Sequence, residues 1–178
     1  MRLIFAAVLG AAAASLVGCA TARDVEPAVP ITGVEAEIRD PGGRLVARST
    51  ATQIEGGVQV RVEAAGLVAG SYAAHVHAVG RCDPPAFESA GPHWNPTDRQ
   101  HGSQNPQGQH LGDLPNLLVG TDGAGSFTYI VPGASLTGGS RAMLDADGAA
   151  LVIHTGADDY RTDSSGNSGA RLACGEFG

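Results

Sequence analysis

The sequence predicts an all-β domain, and three observations support this prediction. Glycine occurs 26 times and proline 10 times in 178 residues, which favours many turns over long helices. Beyond the N-terminus, no stretch repeats its apolar residues with the period of a helix. Several short stretches instead alternate apolar and polar residues, as half-buried strands do. The length of the chain is typical of one domain and is too short for a (β/α)8 barrel.

The N-terminal segment predicts an export signal. Arg2 precedes an apolar run shorter than the ~20 residues that a membrane-spanning helix needs, and the run ends in small residues. The letters LVGC resemble a lipobox, in which Cys19 is lipidated after residues 1–18 are removed; ordinary signal cleavage is the alternative. Residues 19–30 contain two prolines and no periodicity, which predicts a flexible tether before a domain at 31–178.

About eight short strands are predicted along this domain. Residues 34–39 and 58–64 alternate apolar and polar side chains, whereas RLVARSTATQIE between them is a poorer strand bounded by turn residues. Further strands are predicted at 72–79, 114–120, 125–131, 149–155 and 170–176. The segments 80–112 and 155–169 are predicted to be long loops, which in compact domains usually carry function.

Five of the six histidines lie between residues 75 and 113. His75 and His77 are two apart in a predicted strand, so both imidazoles leave the same face and form a bidentate metal clip. His154 ends the stretch ALVIH, where a neighbouring strand could bring it beside the clip. A metal bound by three His and one Asp would hold the first long loop in place. The candidate ligands in that loop are His93, His101, His110 and Asp113.

The ligand types narrow the choice of metal and of protein class. Histidine and carboxylate suit Zn or Cu(II), whereas Cu(I) prefers thiolate and thioether ligands, and the chain has only Met1 and Met143. Metallo-β-lactamase-like hydrolases continue His-x-His with an acid and a histidine, where this chain has Ala78 and Val79. Amidohydrolases need a barrel of ~250 residues. With 11 basic residues, a net charge of -7 and no basic run, nucleic acid is excluded as a partner.

Two cysteines remain once Cys19 is assigned to the anchor. In an exported, oxidising compartment, a disulfide between Cys82 and Cys174 is the default assignment. Closing a loop of roughly 90 residues in this way could stabilise the fold by ~4 to 5 kcal/mol on the chain-entropy model.

Four stretches resemble the Cu/Zn superoxide dismutases: HVHAVG, SAGPHWNP, HLGDL and GNSGARLACG occur in that family's order and approximate spacing. The resemblance covers the predicted domain and implies a flattened, eight-stranded Greek-key barrel. It also implies disproportionation of superoxide to O2 and H2O2, with one copper and one zinc per subunit. The implied copper ligands are His75, His77, His93 and His154, and the implied zinc ligands are His93, His101, His110 and Asp113.

Three residues gain further roles from the resemblance. His93 is expected to bridge the two metals and to serve as a proton source. Arg171 is expected to attract and orient the superoxide anion beside copper, although an arginine here can also satisfy loop carbonyls. Asp158 is expected to join the non-ligating nitrogens of His75 and His101, with a solvated loop acid as the alternative. The predicted disulfide matches that of the family.

The sequence also departs from the family pattern. Arg81, Glu176 and Phe177 replace the usual residues, so the last strand and any subunit interface are open questions. The second long loop has no lysine that could help to steer the anion. Ala20 after Cys19, rather than an aspartate, predicts that the exported, periplasmic protein is anchored to the outer membrane. Either a monomer or a homodimer is expected. Two rival functions remain: a lipoprotein that buffers copper or zinc without turnover, and an adhesion-type sandwich.

Overall fold

The computed structural model describes residues 33–178, and this part of the chain is almost entirely β-structure, as the sequence predicts. Its one helical element is the 3-10 turn η1 (Glu88–Ala90). Within the described range, no helix is long and apolar enough to cross a membrane. The predicted signal at 1–18, the lipidation site Cys19 and the tether at 19–30 lie outside the described residues.

Eleven strands are found in this range. In chain order they are β1 (Gly33–Arg39), β2 (Leu45–Ile54), β3 (Gly57–Ala65), β4 (Gly70–Tyr72), β5 (Ala74–His77), β6 (Leu117–Val119), β7 (Ala124–Pro132), β8 (Ser135–Thr137), β9 (Ala142–Leu144), β10 (Ala150–His154) and β11 (Arg171–Glu176). β4 and β5 are two halves of one bent strand, separated at Ala73. When β4 and β5 are counted as one strand and β8 and β9 are left out of the count, the remaining strands correspond to the eight predicted ones.

The strands close into a barrel. Seven of them form one antiparallel sheet in the order β5-β10-β11-β1-β2-β3-β7. β6 leads into β7 through a tight turn, in which the Gly120 amide donates to the Ala124 carbonyl (2.9 Å), and β6 also pairs with β4. Because β4 continues into β5, the first strand of this order, the sequence of neighbouring strands closes on itself. β3 and β4 follow each other in the chain without being neighbours, which is the crossing connection of a Greek key. The predicted fold class is confirmed.

Alternation along the strands determines which side chains fill the barrel. The inward positions of β1 and β3 are almost fully buried; they are Ala36, Ile38, Val58, Val60 and Val62. β2 has a weaker alternation, yet at ten residues it is the longest strand. It pairs with β1 on one side and β3 on the other along nearly its whole length. Pairing with two neighbours therefore outweighs its weak local pattern.

The connection between β7 and β10 contains two strands that the sequence did not predict. β8 and β9 have three residues each and pair with each other in parallel. Three residues are too few to show a period of two, which explains why the prediction missed them. Leu136 and Met143 on these strands are each 1% exposed and belong to the main core, so this connection is part of the packed fold.

The C-terminal residues that depart from the family pattern still complete the barrel. β11 runs to Glu176 and pairs with β10, and Phe177 is 7% exposed within the main core. The Glu176 carboxylate accepts the backbone amide of Cys82 (2.8 Å). Arg81 forms an ion pair with Asp83 (2.6 Å). The unusual residues thus find local partners without disturbing the last strand.

Two long connections reach the same end of the barrel. The first runs from β5 to β6 and the second from β10 to β11, as the sequence predicts. The disulfide between Cys82 and Cys174 is present, with Cα atoms 5.7 Å apart, so the predicted pairing is confirmed. It joins the first connection to β11, the strand that begins at Arg171.

Candidate metal centre

Strand pairing brings five of the predicted ligands together. β5 carries His75 and His77, which are 0% and 1% exposed. On one side β5 pairs with β10, which ends at His154. On the other side, isolated β-bridges join His75 to Asp113 and His77 to His93. The first long loop is therefore held against the edge of β5 by backbone hydrogen bonds as well as by any ligand.

Four histidines form a first ligand group, with one nitrogen of each within 4.8 Å of the others; they are His75, His77, His93 and His154. Three of the rings use their other nitrogen in a hydrogen bond. The bonds are His75 Nε2 with Asp158 Oδ2 (2.9 Å), His77 Nδ1 with the Gly91 carbonyl (2.8 Å) and His154 Nδ1 with the Gly169 carbonyl (3.2 Å). These contacts fix each ring and decide which nitrogen faces the group.

The nitrogens that face the first group have no hydrogen-bond partner. His75 Nδ1, His77 Nε2 and His154 Nε2 are buried and unpaired, and within residues 33–178 only the Ser168 hydroxyl shares that condition. Leaving a buried polar atom without a partner costs about 1–3 kcal/mol. Three such nitrogens aimed at one point therefore fit a metal donor set, and an all-imidazole set suits Cu(II) or Zn.

The second ligand group centres on one carboxylate oxygen. Asp113 Oδ1 lies 3.1 Å from His93 Nδ1, 3.0 Å from His101 Nδ1 and 3.1 Å from His110 Nδ1. The Nδ1 atoms of His93 and His110 are 3.3 Å apart. Four atoms around a tetrahedral zinc at ~2.0–2.1 Å lie about 3.3 Å from one another. His75 also lies within 4.8 Å of His93, His101 and Asp113, but its Nε2 is already hydrogen-bonded, so His110 completes this group.

Burial keeps the first group neutral. It lowers the pKa of His75 to about 3, that of His77 to about 2 and that of His154 to about 4. Burial also lowers the pKa of His93. Neutral imidazoles offer a lone pair without first losing a proton, so these side chains are ready to bind a cation at neutral pH.

The second group has the opposite electrostatic character. Burial acts to lower the pKa of His101, but hydrogen bonds to Asp113 and Asp158 outweigh it and raise the pKa to about 9. Burial acts to raise the pKa of Asp113, but its contacts with His101 and the other two histidines hold that pKa far below the usual range. The carboxylate is thus ionised among nitrogens that must hold either protons or a metal cation.

Asp158 lies between the two groups. Its Oδ2 is 2.9 Å from His75 Nε2 and its Oδ1 is 3.0 Å from His101 Nε2. The residue is 4% exposed, so it is not a solvated loop acid. Burial acts to raise its pKa, but the hydrogen bonds to His101 and His75 outweigh it and the pKa lies below its usual range. One carboxylate thus contacts a histidine from each group.

Several residues that support this centre were not singled out from the sequence. Asn116 Oδ1 accepts the Asp158 amide (2.8 Å), and Asn116 Nδ2 donates to the Asp158 carbonyl (2.9 Å). Asp163 accepts the amide of His101 (2.8 Å). A Cβ at Gly166 would overlap the Asp158 carboxylate, so only glycine fits there. Single polar residues in loops give no periodic signal, and the glycines of GNSG were considered only as part of the family motif.

Arg171 is tied to the first loop. Its two Nη atoms donate to the carbonyls of Phe87 and Gly91 (2.6 Å for the latter). The Gly91 carbonyl also accepts from His77 Nδ1, so Arg171 and a first-group histidine share one acceptor. The structure therefore includes the loop-supporting contacts that were one of the two expected roles. These contacts use two of the five N–H donors of a guanidinium.

The first group opens into a pocket of about 1100 Å³. His77, His93, His154 and Arg171 line it, and His93 is 7% exposed. The charged side chains in its wall are Glu88, Arg99, Asp145, Asp163 and Arg171. Ala142 and Asp145 in this wall belong to the connection that contains β8 and β9, so the unpredicted strands shape the approach to the site.

Comparison with known proteins identifies the family to which this site belongs. A family profile described as copper/zinc superoxide dismutase (SODC) matches residues 44–177. The chain belongs to the copper/zinc superoxide dismutase family. The matched range contains every candidate ligand of both groups together with Asp158, Arg171 and both cysteines of the disulfide.

Individual members of the family differ in how they are described. The superoxide dismutase-like protein YojM of Bacillus subtilis (strain 168) is 48% identical over 121 residues, which is 67% of this chain and 62% of that protein. The Cu-Zn superoxide dismutase of Caulobacter vibrioides is 40% identical over 143 residues, which is 79% of this chain and 82% of that protein. The chain therefore spans less than two thirds of the length of YojM.

Solved structures of the superoxide dismutase family show the same fold. The structure of a SOD-like protein from Bacillus subtilis has a TM-score of 0.75 and 40% identity, covering 80% of this chain and 96% of that chain. The Cu/Zn superoxide dismutase from Brucella abortus has a TM-score of 0.63 and 28% identity, covering 82% and 99%. Both agree with the Greek-key barrel described above.

Proposed function

We propose that the protein is a superoxide dismutase, which converts two superoxide anions and two protons into O2 and H2O2. The observation that carries this proposal is the pair of ligand groups that share His93. One group has three unpaired buried nitrogens and opens into the pocket, and the other encloses Asp113 Oδ1. Membership of the copper/zinc superoxide dismutase family supports the same conclusion.

We assign one metal to each group. The all-nitrogen first group would hold copper, because imidazoles suit Cu(II). The closed group of three His and one Asp would hold zinc in tetrahedral coordination. When bound, copper supplies one-electron chemistry by alternating between Cu(II) and Cu(I), whereas zinc has no redox role. The proposed copper ligands are His75, His77, His93 and His154, and the proposed zinc ligands are His93, His101, His110 and Asp113.

Two side chains would act on the substrate and its protons. His93 Nδ1 belongs to the second group, so Nε2 is the nitrogen left for the first. With Nε2, His93 would hold a proton and donate it toward the peroxide product. Arg171 would attract the anion into the pocket with its permanent charge, using N–H donors that the carbonyls of the loop leave free.

The site of action proposed here is the cell envelope. Residues 1–18 have the composition of an export signal, LVGC resembles a lipobox, and residues 19–30 can serve as a tether. The mature protein would then be periplasmic and attached through Cys19 to the outer membrane. A disulfide between Cys82 and Cys174 is consistent with such an oxidising compartment.

A metal-buffering protein without turnover is the second candidate function. Its support is that one relative of this chain is described only as superoxide dismutase-like. Buffering needs ligands but no charged approach to them. The presence of Arg171 in the pocket wall favours the enzyme.

The decisive experiment measures superoxide decay by pulse radiolysis on protein whose copper and zinc content has been determined. The enzyme should give a second-order rate that depends on copper, whereas a buffer would bind both metals without accelerating decay. His93→Ala should abolish the coupling between the metals in the Cu(II) spectrum while three nitrogens remain for copper. Unaltered copper and zinc spectra in this variant would contradict the bridge. All six histidines belong to the candidate site, so the histidines offer no matched control outside it.

A further inference from the structure

The turn that carries Glu88 is held at both ends by Arg171. η1 spans Glu88–Ala90, and the carbonyls immediately before and after it, those of Phe87 and Gly91, accept the two Nη atoms of Arg171. Phe87 and Ala90 are 3% and 0% exposed and belong to a small core that includes Cys174. The turn is therefore fixed relative to the arginine, and the Glu88 carboxylate cannot drift far from it.

Glu88 places a negative charge at the pocket beside this arginine. Its side chain is exposed and lines the pocket wall. The guanidinium donates to backbone carbonyls rather than to the carboxylate, so the two charges do not neutralise each other in a direct ion pair. Burial lowers the pKa of Arg171, and the charge of Glu88 acts against this effect. The arginine therefore lies within the field of the carboxylate.

The other acids of the pocket wall are engaged elsewhere. Asp163 accepts the backbone amide of His101, and Asp145 accepts that of Asp147. Within residues 33–178, Glu88 is the acid of this wall whose carboxylate makes no hydrogen bond. The charges of Asp145 and Asp163 remain, but among the described acids of this wall Glu88 is the one that no hydrogen bond holds in another direction.

We propose that Glu88 determines anion specificity: it weakens the attraction of the pocket for every anion, and for multiply charged anions most of all. This proposal rests on the proposed function, because superoxide is the anion that must still enter. The energy of a charge in a fixed field is proportional to that charge. If Glu88 reduces the binding of a monoanion by some factor, it reduces the binding of a dianion by the square of that factor. Superoxide then competes with inorganic phosphate on better terms than Arg171 alone would allow.

The test compares Glu88→Gln with Glu55→Gln, which removes the same charge from an exposed residue in the β2–β3 turn outside the pocket. A unit charge roughly 8 Å away in water changes the binding of a monoanion by about twofold. At low salt, Glu88→Gln should therefore raise the superoxide rate and the affinity for azide about twofold. The affinity for phosphate at pH 8 should rise about fourfold. Glu55→Gln should match the wild type in all three measurements.

Salt and a second substitution distinguish a charge effect from a structural one. The differences should vanish near 1 M salt, where the screening length is about 3 Å, and Glu88→Lys should shift all three quantities further in the same direction. Equal gains for azide and phosphate, no difference from Glu55→Gln, or a change that persists at high salt would overturn the proposal. Azide binding is read from the Cu(II) absorption, and phosphate binding from its competition with azide. Both measurements test Glu88 without requiring turnover, whereas a wild-type protein that binds both anions but does not accelerate superoxide decay would refute the proposed function alone.

Discussion

Replacing Asp158 with asparagine tests whether one carboxylate supports both metal groups. Asp158 accepts hydrogen bonds from His75 Nε2 (2.9 Å) and His101 Nε2 (3.0 Å), one oxygen for each ring. Asparagine keeps one oxygen and turns an NH2 group toward the other ring. One of the two buried N–H groups then faces a donor, and the negative charge between the groups is lost.

The size of the effect follows from these contacts. A buried N–H without an acceptor costs about 1–3 kcal/mol, and loss of the partner that orients a metal-bound histidine weakens metal affinity by about 10- to 100-fold. Because Asp158 contacts a histidine of each group, affinity should fall at both sites. Copper should weaken through His75 and zinc through His101, each by about 10-fold or more.

Chelator competition on the purified protein gives the two dissociation constants separately. The matched control is Asp147→Asn, which makes the same change at an exposed residue outside the pocket, and it should leave both constants unaltered. Affinities within twofold of wild type at both sites would refute the reasoning. Weakening at the zinc site alone would show that Asp158 acts on His101 and not on His75.

Three further predictions concern the anion, the metal-free protein and the anchor. Arg171→Glu should lower the second-order rate with superoxide by roughly 10-fold or more while both metals stay bound, and Arg171→Lys should lose less; a fully metallated Arg171→Glu protein within twofold of wild type would make Arg171 purely structural. In metal-free protein, the lowered pKa values of His75 and His154 contribute stability that is full above about pH 6.5 and is lost as the pH falls toward 4. The raised pKa of His101 has the opposite effect: its contribution is full below about pH 6.5 and is lost as the pH rises through about 9. Thermal unfolding of chelator-treated protein should therefore show maximum stability near pH 6.5, and a melting temperature that keeps rising to pH 9 would contradict this. Cys19→Ser should release the protein into the soluble fraction or stall its processing, and unchanged membrane partitioning would exclude the lipobox.

Strand geometry explains which parts of the site the residues alone could predict. A period of two places His75 and His77 on one face of a strand, and β5 buries both rings as that pattern requires. His154 could be placed only at the end of a strand, and its pairing partner became known from the register of β10 with β5. The predictions of β1, β3 and β7 were accurate because alternation over seven or more residues records which face is buried.

Loop residues follow no such period, so the sequence pattern alone did not predict how they are arranged. Spacings of eight, nine and three residues between His93, His101, His110 and Asp113 say nothing about direction in space. The residue types predicted a metal site in this loop, and only the family resemblance divided the ligands between copper and zinc. Asn116 lies 42 residues from Asp158 in the chain, and no local pattern links them. β8 and β9 were missed because strands of three residues carry too little signal.

This division between strands and loops also suggests why two metals differ in what they do for the protein. Two of the four first-group histidines lie on β5 and a third on β10, so the paired strands hold three unpaired nitrogens in place before any metal arrives. The second group is built from loop residues, and three imidazoles around one carboxylate oxygen are compatible only with protons or a cation between them. The proposed copper could therefore change its charge during a reaction without moving the barrel. The proposed zinc would add to the backbone bridges that hold the loop, and with it His93, against β5.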